Sequence, residues 1–134
     1  MLLDTSGLMC LFDRRDFRQA SAVKLYGSAN QRLTHNYVFA EFVALVIARH
    51  APLGDALKFI DAIHHSDEIE TIWVDSRLHE RAMRLLANRA DKRWSLCDAI
   101  SFVVMSDYSV SEALTTDHNF EQAGFARLLA ITLP

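Results

Sequence analysis

The sequence predicts an α/β fold built on a parallel sheet covered on both faces. Three observations carry this reading. Short apolar runs suited to strands alternate with longer segments of helical periodicity along all 134 residues. Hydrophobic residues make up 51% of the chain and charged residues 23%, which is enough to bury a core. Only two prolines and four glycines are present. No stretch reads as a linker, a repeat or a low-complexity segment, so a single domain over 1–134 is expected.

The elements follow in order. Leu2-Leu3-Asp4 reads as a short buried strand, and Asp4-Thr5-Ser6-Gly7 offers helix-start chemistry before a short helix over 8–12. Residues 16–29 look helical, with Ala20, Val23, Leu25 and Tyr26 toward the core. A short strand over 32–35 precedes a strongly apolar helix from about Tyr37 to His50. Pro52 suits the first position of another helix, running to about Ile63. Thr-Ile-Trp-Val within 70–75 is β-rich. Residues 76–90 are amphipathic, with Leu78, Ala82, Leu85 and Leu86 on one side, and 95–108 form a further helix. Residues 113–116 and 128–132 read as two terminal strands.

Several classes are excluded. Cys10 and Cys97 are far apart without CxxC spacing, and the six histidines do not pair with them at zinc-finger spacing. A reduced cytoplasmic chain is expected. Met1 leads straight into Leu2-Leu3-Asp4 with no basic region ahead of an apolar run, so no signal peptide is expected. The apolar stretch 37–48 is too short to span a bilayer and contains Glu41, so no membrane partner is expected. The formal net charge of −3 argues against a phosphate-backbone partner. That argument weakens if several acids are held against metal ions.

Four acids have separate bland explanations. Glu41 sits in a helix that is otherwise almost wholly apolar. A helix apolar all round is buried, and a carboxylate there must be paired, protonated or bound to a cation. The alternatives are a buried arginine partner or a local gap to solvent. Asp4 ends a strand and could equally cap the next helix. Asp98 stands three residues after Ser95, at capping-box spacing. It can serve as both cap and metal ligand only if one carboxylate oxygen stays free. Asp117 follows a strand, and Asp117-His118-Asn119 is also good turn chemistry. The set is more specific than its members. Two acids at the ends of parallel strands share one sheet edge, and helices bring Glu41 and Asp98 toward it. Close carboxylates raise one another's pKa, and a hard divalent cation relieves that conflict. An all-oxygen set suits Mg²⁺ or Mn²⁺.

Four segments carry a resemblance. They are Leu2-Leu3-Asp4-Thr5-Ser6, Asn36-Tyr37-Val38-Phe39-Ala40-Glu41-Phe42, Trp94-Ser95-Leu96-Cys97-Asp98-Ala99-Ile100-Ser101-Phe102 and Leu114-Thr115-Thr116-Asp117-His118-Asn119-Phe120. In this order, across nearly the whole chain, the sequence resembles the PIN-domain family and, within it, the VapC-type toxins of toxin–antitoxin pairs. The resemblance implies a three-layer α/β/α fold and a metal-dependent endoribonuclease using Mg²⁺ or Mn²⁺. Its catalytic, metal-binding quartet would be Asp4, Glu41, Asp98 and Asp117. Thr5, Ser6 and Thr115 match supporting hydroxyls, and Asn119 falls at an accessory position. The products would carry a 5′-phosphate and a 3′-hydroxyl. The resemblance also implies an RNA substrate, a homodimer and a cognate antitoxin lying across the active-site face.

Candidate RNA contacts are Lys92, Arg93 and Trp94 before the Asp98 helix, Arg14 and Arg15 after the first helix, and His118. For Trp94 the competing reading is an apolar staple onto the following helix. His64 and His65 read as a helix end. Three rivals remain: a PIN nuclease of RNA processing that is not a toxin, a catalytically silent RNA- or protein-binding module, and phosphoryl transfer to Asp4. The last lacks an acid at Ser6 and a lysine after Lys92.

Overall fold

The computed structural model describes residues 1–130. Five strands are present among them: β1 (Leu2–Leu3), β2 (Leu33–His35), β3 (Glu70–Ile72), β4 (Glu112–Leu114) and β5 (Ala126–Arg127). They form one sheet in the order β3-β2-β1-β4-β5. Every pairing is parallel, with Leu2 opposite both Leu33 and Ala113. The helices are α1 (Thr5–Phe12), α2 (Gln19–Ser28), α3 (Asn36–Ala48), α4 (Leu53–His64), α5 (Ser76–Asn88), α6 (Leu96–Asp107) and α7 (Asn119–Gln122).

Alternation along the strands divides the core into two. Successive strand side chains point to opposite faces. Leu3 and Leu114 therefore join a cluster with Leu8, Phe42, Val46 and Ala56 from α1, α3 and α4. Leu2 and Ala113 join Ala82, Ile100, Phe102 and Phe120 from α5, α6 and α7. Helices thus cover both faces, and the expected three-layer α/β/α architecture is borne out. Because all strands run one way, their carboxyl ends share one edge. Asp4, Asn36, Trp73 and Thr115 each follow a strand there.

Close packing fixes that edge. A Cβ on Gly7 would stand 2.0 Å from the Leu114 carbonyl oxygen. Only glycine lets α1 lie this near β4. At the exit of β3, the Asn36 side-chain oxygen accepts the Val74 N–H at 2.6 Å. The ladder therefore stops before Trp73, and the strand is shorter than expected over 70–75.

Other expectations need correction. The helix expected from Leu8 begins at Thr5, directly after Asp4. In α2, Ala22, Leu25 and Tyr26 form the inward stripe, while Ala20 and Val23 are exposed, because 22, 25 and 26 share one helical face. The last strand lies at Ala126–Arg127 rather than 128–132. Leu128 and Leu129 lie in a turn, and 131–132 fall outside the described residues. Helix α7 continues from the turn chemistry expected at Asp117-His118-Asn119. No helix described is long and apolar enough to cross a membrane.

Candidate active site

At the carboxyl edge lies an open cavity of about 550 Å³. Asp4, Glu41, Asp98 and Asp117 all line it, with Thr5, Ser6, Arg93, His118 and Asn119. The structure therefore brings the four sequence-selected acids together, from the ends of β1 and β4 and from α3 and α6.

Asp4 is held by hydroxyls. Thr115 Oγ1 donates to Asp4 Oδ2 at 2.7 Å and accepts the Asp117 N–H at 3.0 Å. Since its one hydrogen goes to Asp4, Ser6 is the donor across the 3.1 Å contact between the two hydroxyls. Ser6 Oγ also lies 3.3 Å from Asp4 Oδ2 and accepts the Thr116 N–H at 2.9 Å. Asp4 occupies the N-cap of α1, yet its side chain caps nothing. Its Oδ1 is buried without a hydrogen-bond partner among the described residues. Burial pushes this carboxyl up to about 7, against the Thr115 hydrogen bond, and the charges of Asp98 and Glu41 push the same way.

Asp98 has both roles open to it. Ser95 and Asp98 form a full capping box, with Asp98 Oδ2 accepting the Ser95 N–H at 3.1 Å. Asn119 Nδ2 donates to the same oxygen at 3.1 Å. Among the described residues, nothing donates to Asp98 Oδ1, so the cap leaves one oxygen facing the cavity. Burial raises the Asp98 pKa, partly offset by these hydrogen bonds. Asn119 also reaches Asp117 Oδ2 at 3.5 Å, and its N–H binds Asp117 Oδ1 at 2.9 Å. It spans the two acids as a donor.

Glu41 differs from expectation. It is exposed, because α3 turns one side, with Ala40, Ala44 and Ile47, toward solvent instead of being covered all round. The gap to solvent is the alternative that holds. Among the described residues no lysine or arginine pairs with Asp4, Glu41, Asp98 or Asp117, and the one basic side chain within 4.0 Å is His118, its Nδ1 3.7 Å from Asp117 Oδ1.

The remaining selections separate. Thr5 lines the cavity, but among the described residues its buried hydroxyl has no hydrogen-bond partner. Arg93 and His118 stand on the rim. Lys92 is half-buried outside it. Trp94 is 8% exposed, packs edge-on to Phe102 and donates its indole N–H to Gln122. Its ring is thus committed to the core, so stacking on RNA is withdrawn in favour of the staple. Arg14 and Arg15 line a different cavity. Arg127, not singled out from sequence, bonds the Thr116 carbonyl and Glu121, bracing the Asp117 turn. That role depends on tertiary contacts and has no local sequence signal.

The donor set fits a hard divalent cation. It is all oxygen, it carries excess negative charge, and Asp4 Oδ1 is an orphaned buried acceptor. No three acidic, histidine or cysteine side chains among the described residues form a closed cage. Mg²⁺ suits such an open site, because it keeps several waters and uses few carboxylates together with substrate phosphate.

Comparison with known proteins decides the family. The model of the PIN domain matches residues 1–126. The chain belongs to the PIN-domain family. Two curated PIN relatives, the 23S rRNA-specific endonuclease VapC20 of Mycobacterium tuberculosis strains CDC 1551 / Oshkosh and ATCC 25618 / H37Rv, are each 29% identical over 129 residues, covering 96% of this chain and 97% of theirs. The crystal structure of Mycobacterium tuberculosis VapC20, described as a sarcin-ricin loop cleaving toxin, superposes with a TM-score of 0.84 at 28% identity. That match covers 93% of this chain and 95% of that one. The family and the PIN fold expected from the sequence are borne out, and a ribonuclease agrees with what these relatives are named for.

Proposed function

We propose that this PIN-domain chain is a divalent-metal-dependent endoribonuclease acting as the toxin of a toxin–antitoxin pair. The observation that carries the reading is that Asp4, whose buried Oδ1 has no hydrogen-bond partner among the described residues, lines one cavity with Glu41, Asp98 and Asp117. Asp4 and Asp98 each offer an oxygen without a protein donor, and Asp117 joins them. These three would hold Mg²⁺ or Mn²⁺, with Glu41 as a further ligand or as the base acting on water. A bound cation supplies charge stabilisation to a phosphate oxygen and lowers the pKa of water.

The chain's own groups do the placing. Thr115 fixes Asp4 through Oδ2, Ser6 holds Thr115, and Asp4 Oδ1 is left without a donor among the described residues. Asn119 donates its side-chain amide to both Asp98 and Asp117 and so ties the two carboxylates together at the site. Glu41 is exposed at the site, whereas Asp4 is buried. Arg93 and His118 on the rim suit a phosphodiester in the cavity.

Residues 1–134 would act as one nuclease domain in the cytoplasm, restrained by an antitoxin over this face and paired with a second copy. Association is supported by exposed apolar groups. Leu53, Leu57 and His64 share a side of α4, His64 packs beside Trp73, and Trp73 is 64% exposed.

The test is cleavage of total cellular RNA by purified, partner-free protein with Mg²⁺, with Mn²⁺ and with EDTA. Cleavage with metal, fragments bearing 5′-phosphates, and loss of cleavage in Asp4→Asn/Asp98→Asn are expected. Folded wild type that binds RNA but cuts none under either metal would instead favour the silent binding module. A growth arrest relieved by a neighbouring gene's product separates a toxin from an RNA-processing nuclease.

A further inference from the structure

A second cavity, of about 1000 Å³, opens at the far ends of α1 and α3. Arg14, Arg15, Arg49 and His50 line it, with Asp13 and Asp55. Most other arginines in the chain are already engaged. Arg18, Arg81, Arg89 and Arg127 pair with carboxylates, and Arg32 binds the Tyr26 carbonyl. Among the described residues, Arg14, Arg15 and Arg49 make no ion pair and no guanidinium hydrogen bond, and all three are exposed. Asp13 is turned aside to accept the Arg15 backbone N–H at 2.9 Å. The arginine forks are therefore free for an outside acceptor.

The two cavities share their walls. Glu41 and Leu45 of α3 line the acidic one, and Arg49, one turn further along the same stripe, lines the basic one. Eight residues at about 1.5 Å each separate Glu41 from Arg49 by roughly 12 Å. On α1, Thr5 and Ser6 face the acidic cavity while Met9 and Phe12 face the basic one. The two helices pack on each other. A strand of RNA leaving the acids along α1 and α3 reaches the arginines after about three to four stacked nucleotides, at about 3.4 Å each.

We propose that this basic cavity is a remote backbone subsite, in which Arg14, Arg15 and Arg49 grip phosphates of the same RNA strand that is cut at the acids. The subsite rests on the ribonuclease reading above and adds to it where the substrate runs. Bidentate guanidinium–phosphate contacts supply the grip. The edge-on Phe12 and Phe59 rings, 5.4 Å apart, give the floor an apolar surface for ribose or base. An acidic peptide would also satisfy the charge, but it gives no reason for the arginines to share walls with the acids.

The experiment compares wild type with Arg14→Ala/Arg15→Ala/Arg49→Ala on a long single-stranded RNA and on one trimmed to about two nucleotides either side of the cut. Circular dichroism and melting verify folding. An all-lysine version of the three positions guards against a packing effect, and Arg84→Ala on α5 serves as the unaffected control. On long RNA the expected result is a KM raised about tenfold or more with kcat within about twofold. The salt slope of binding should fall by about 2, at roughly 0.7 per phosphate contact on single strands. The lysine version should keep most of that slope, and the difference from wild type should vanish on the trimmed RNA. Unchanged KM and salt slope with active wild type would overturn the subsite while leaving the ribonuclease standing. Wild type that cuts neither RNA with Mg²⁺ or Mn²⁺ would overturn both. Loss of binding to an oligoglutamate peptide alone, with RNA parameters unchanged, would reassign the cavity to an acidic protein segment.

Discussion

Replacing Asp4 with asparagine should make the metal-free protein more stable at neutral pH. The folded carboxyl is raised to about 7 from its ordinary 3.8 because its Oδ1 is buried and unpartnered. An acid raised in the folded state favours the protonated form. Its destabilisation is absent below pH 3.8, grows as pH rises toward 7 and is constant above. At pH 7 the gap corresponds to a ceiling of about 4 kcal/mol, at 1.36 kcal/mol per unit. Asparagine keeps an oxygen for Thr115 but buries an amide donor in place of Oδ1, which returns part of that gain, of order 1–3 kcal/mol. The expected net gain is about 1–3 kcal/mol, or several degrees in melting temperature. Urea unfolding in EDTA from about pH 4 to pH 8 measures it. Because His35 is common to both proteins, the prediction is a difference: the stability advantage of Asp4→Asn over wild type should widen as pH rises through this window. Added Mg²⁺ should stabilise wild type and leave the variant unmoved. A variant less stable than wild type at pH 7, with the same pH slope, would refute the reasoning.

Three further outcomes are expected. Gly7→Ala places a methyl 2.0 Å from the Leu114 carbonyl oxygen, so α1 must leave β4; chemical denaturation should show a loss of about 3 kcal/mol or more, together with weaker cleavage because Ser6 shifts off Thr115. His35 is buried, caps α3 and pairs with Ser101 at 2.8 Å, and burial lowers its pKa from 6.5 to about 3. Stability from this group is complete above pH 6.5 and is lost as pH falls toward 3, by about 2 kcal/mol at pH 5; His35→Asn, which retains a cap acceptor, should flatten that part of the urea profile. Asn119→Ala frees Asp98 and Asp117 from their shared donor, and kcat/KM should drop about 10- to 100-fold with melting temperature nearly unchanged. Equal activity would remove Asn119 from the site.

The acids were legible in sequence because strand ends and helix starts are local signals. Leu2-Leu3 before Asp4 and the run 113–116 before Asp117 mark two parallel strand exits, although the second strand already closes at Leu114, and parallel strands share an edge. Ser95 to Asp98 announced a cap, and the structure realises it in full while leaving Oδ1 free. Other features depend on distant partners. Whether α3 is covered all round is decided by which helices reach it, so its composition alone misplaced Glu41 in the interior. Trp94 sits beside Arg93 in sequence, yet Phe102 and Gln122 turn its ring away from the cavity. Gly7 looks like ordinary helix-start chemistry until the Leu114 carbonyl is seen against it. Residues 126–127 carry little β pattern and become a strand through pairing with β4. The walls common to the acidic and basic cavities follow from α1 lying on α3, which no single segment encodes.

Anomalous scattering from crystals soaked in Mn²⁺, under conditions in which the soluble protein cuts RNA, tests the central claim most directly. A peak against Asp4 and Asp98, absent in Asp98→Asn, is the expected result. Crystals of active protein with no manganese at these carboxylates, or with manganese only elsewhere, would contradict it.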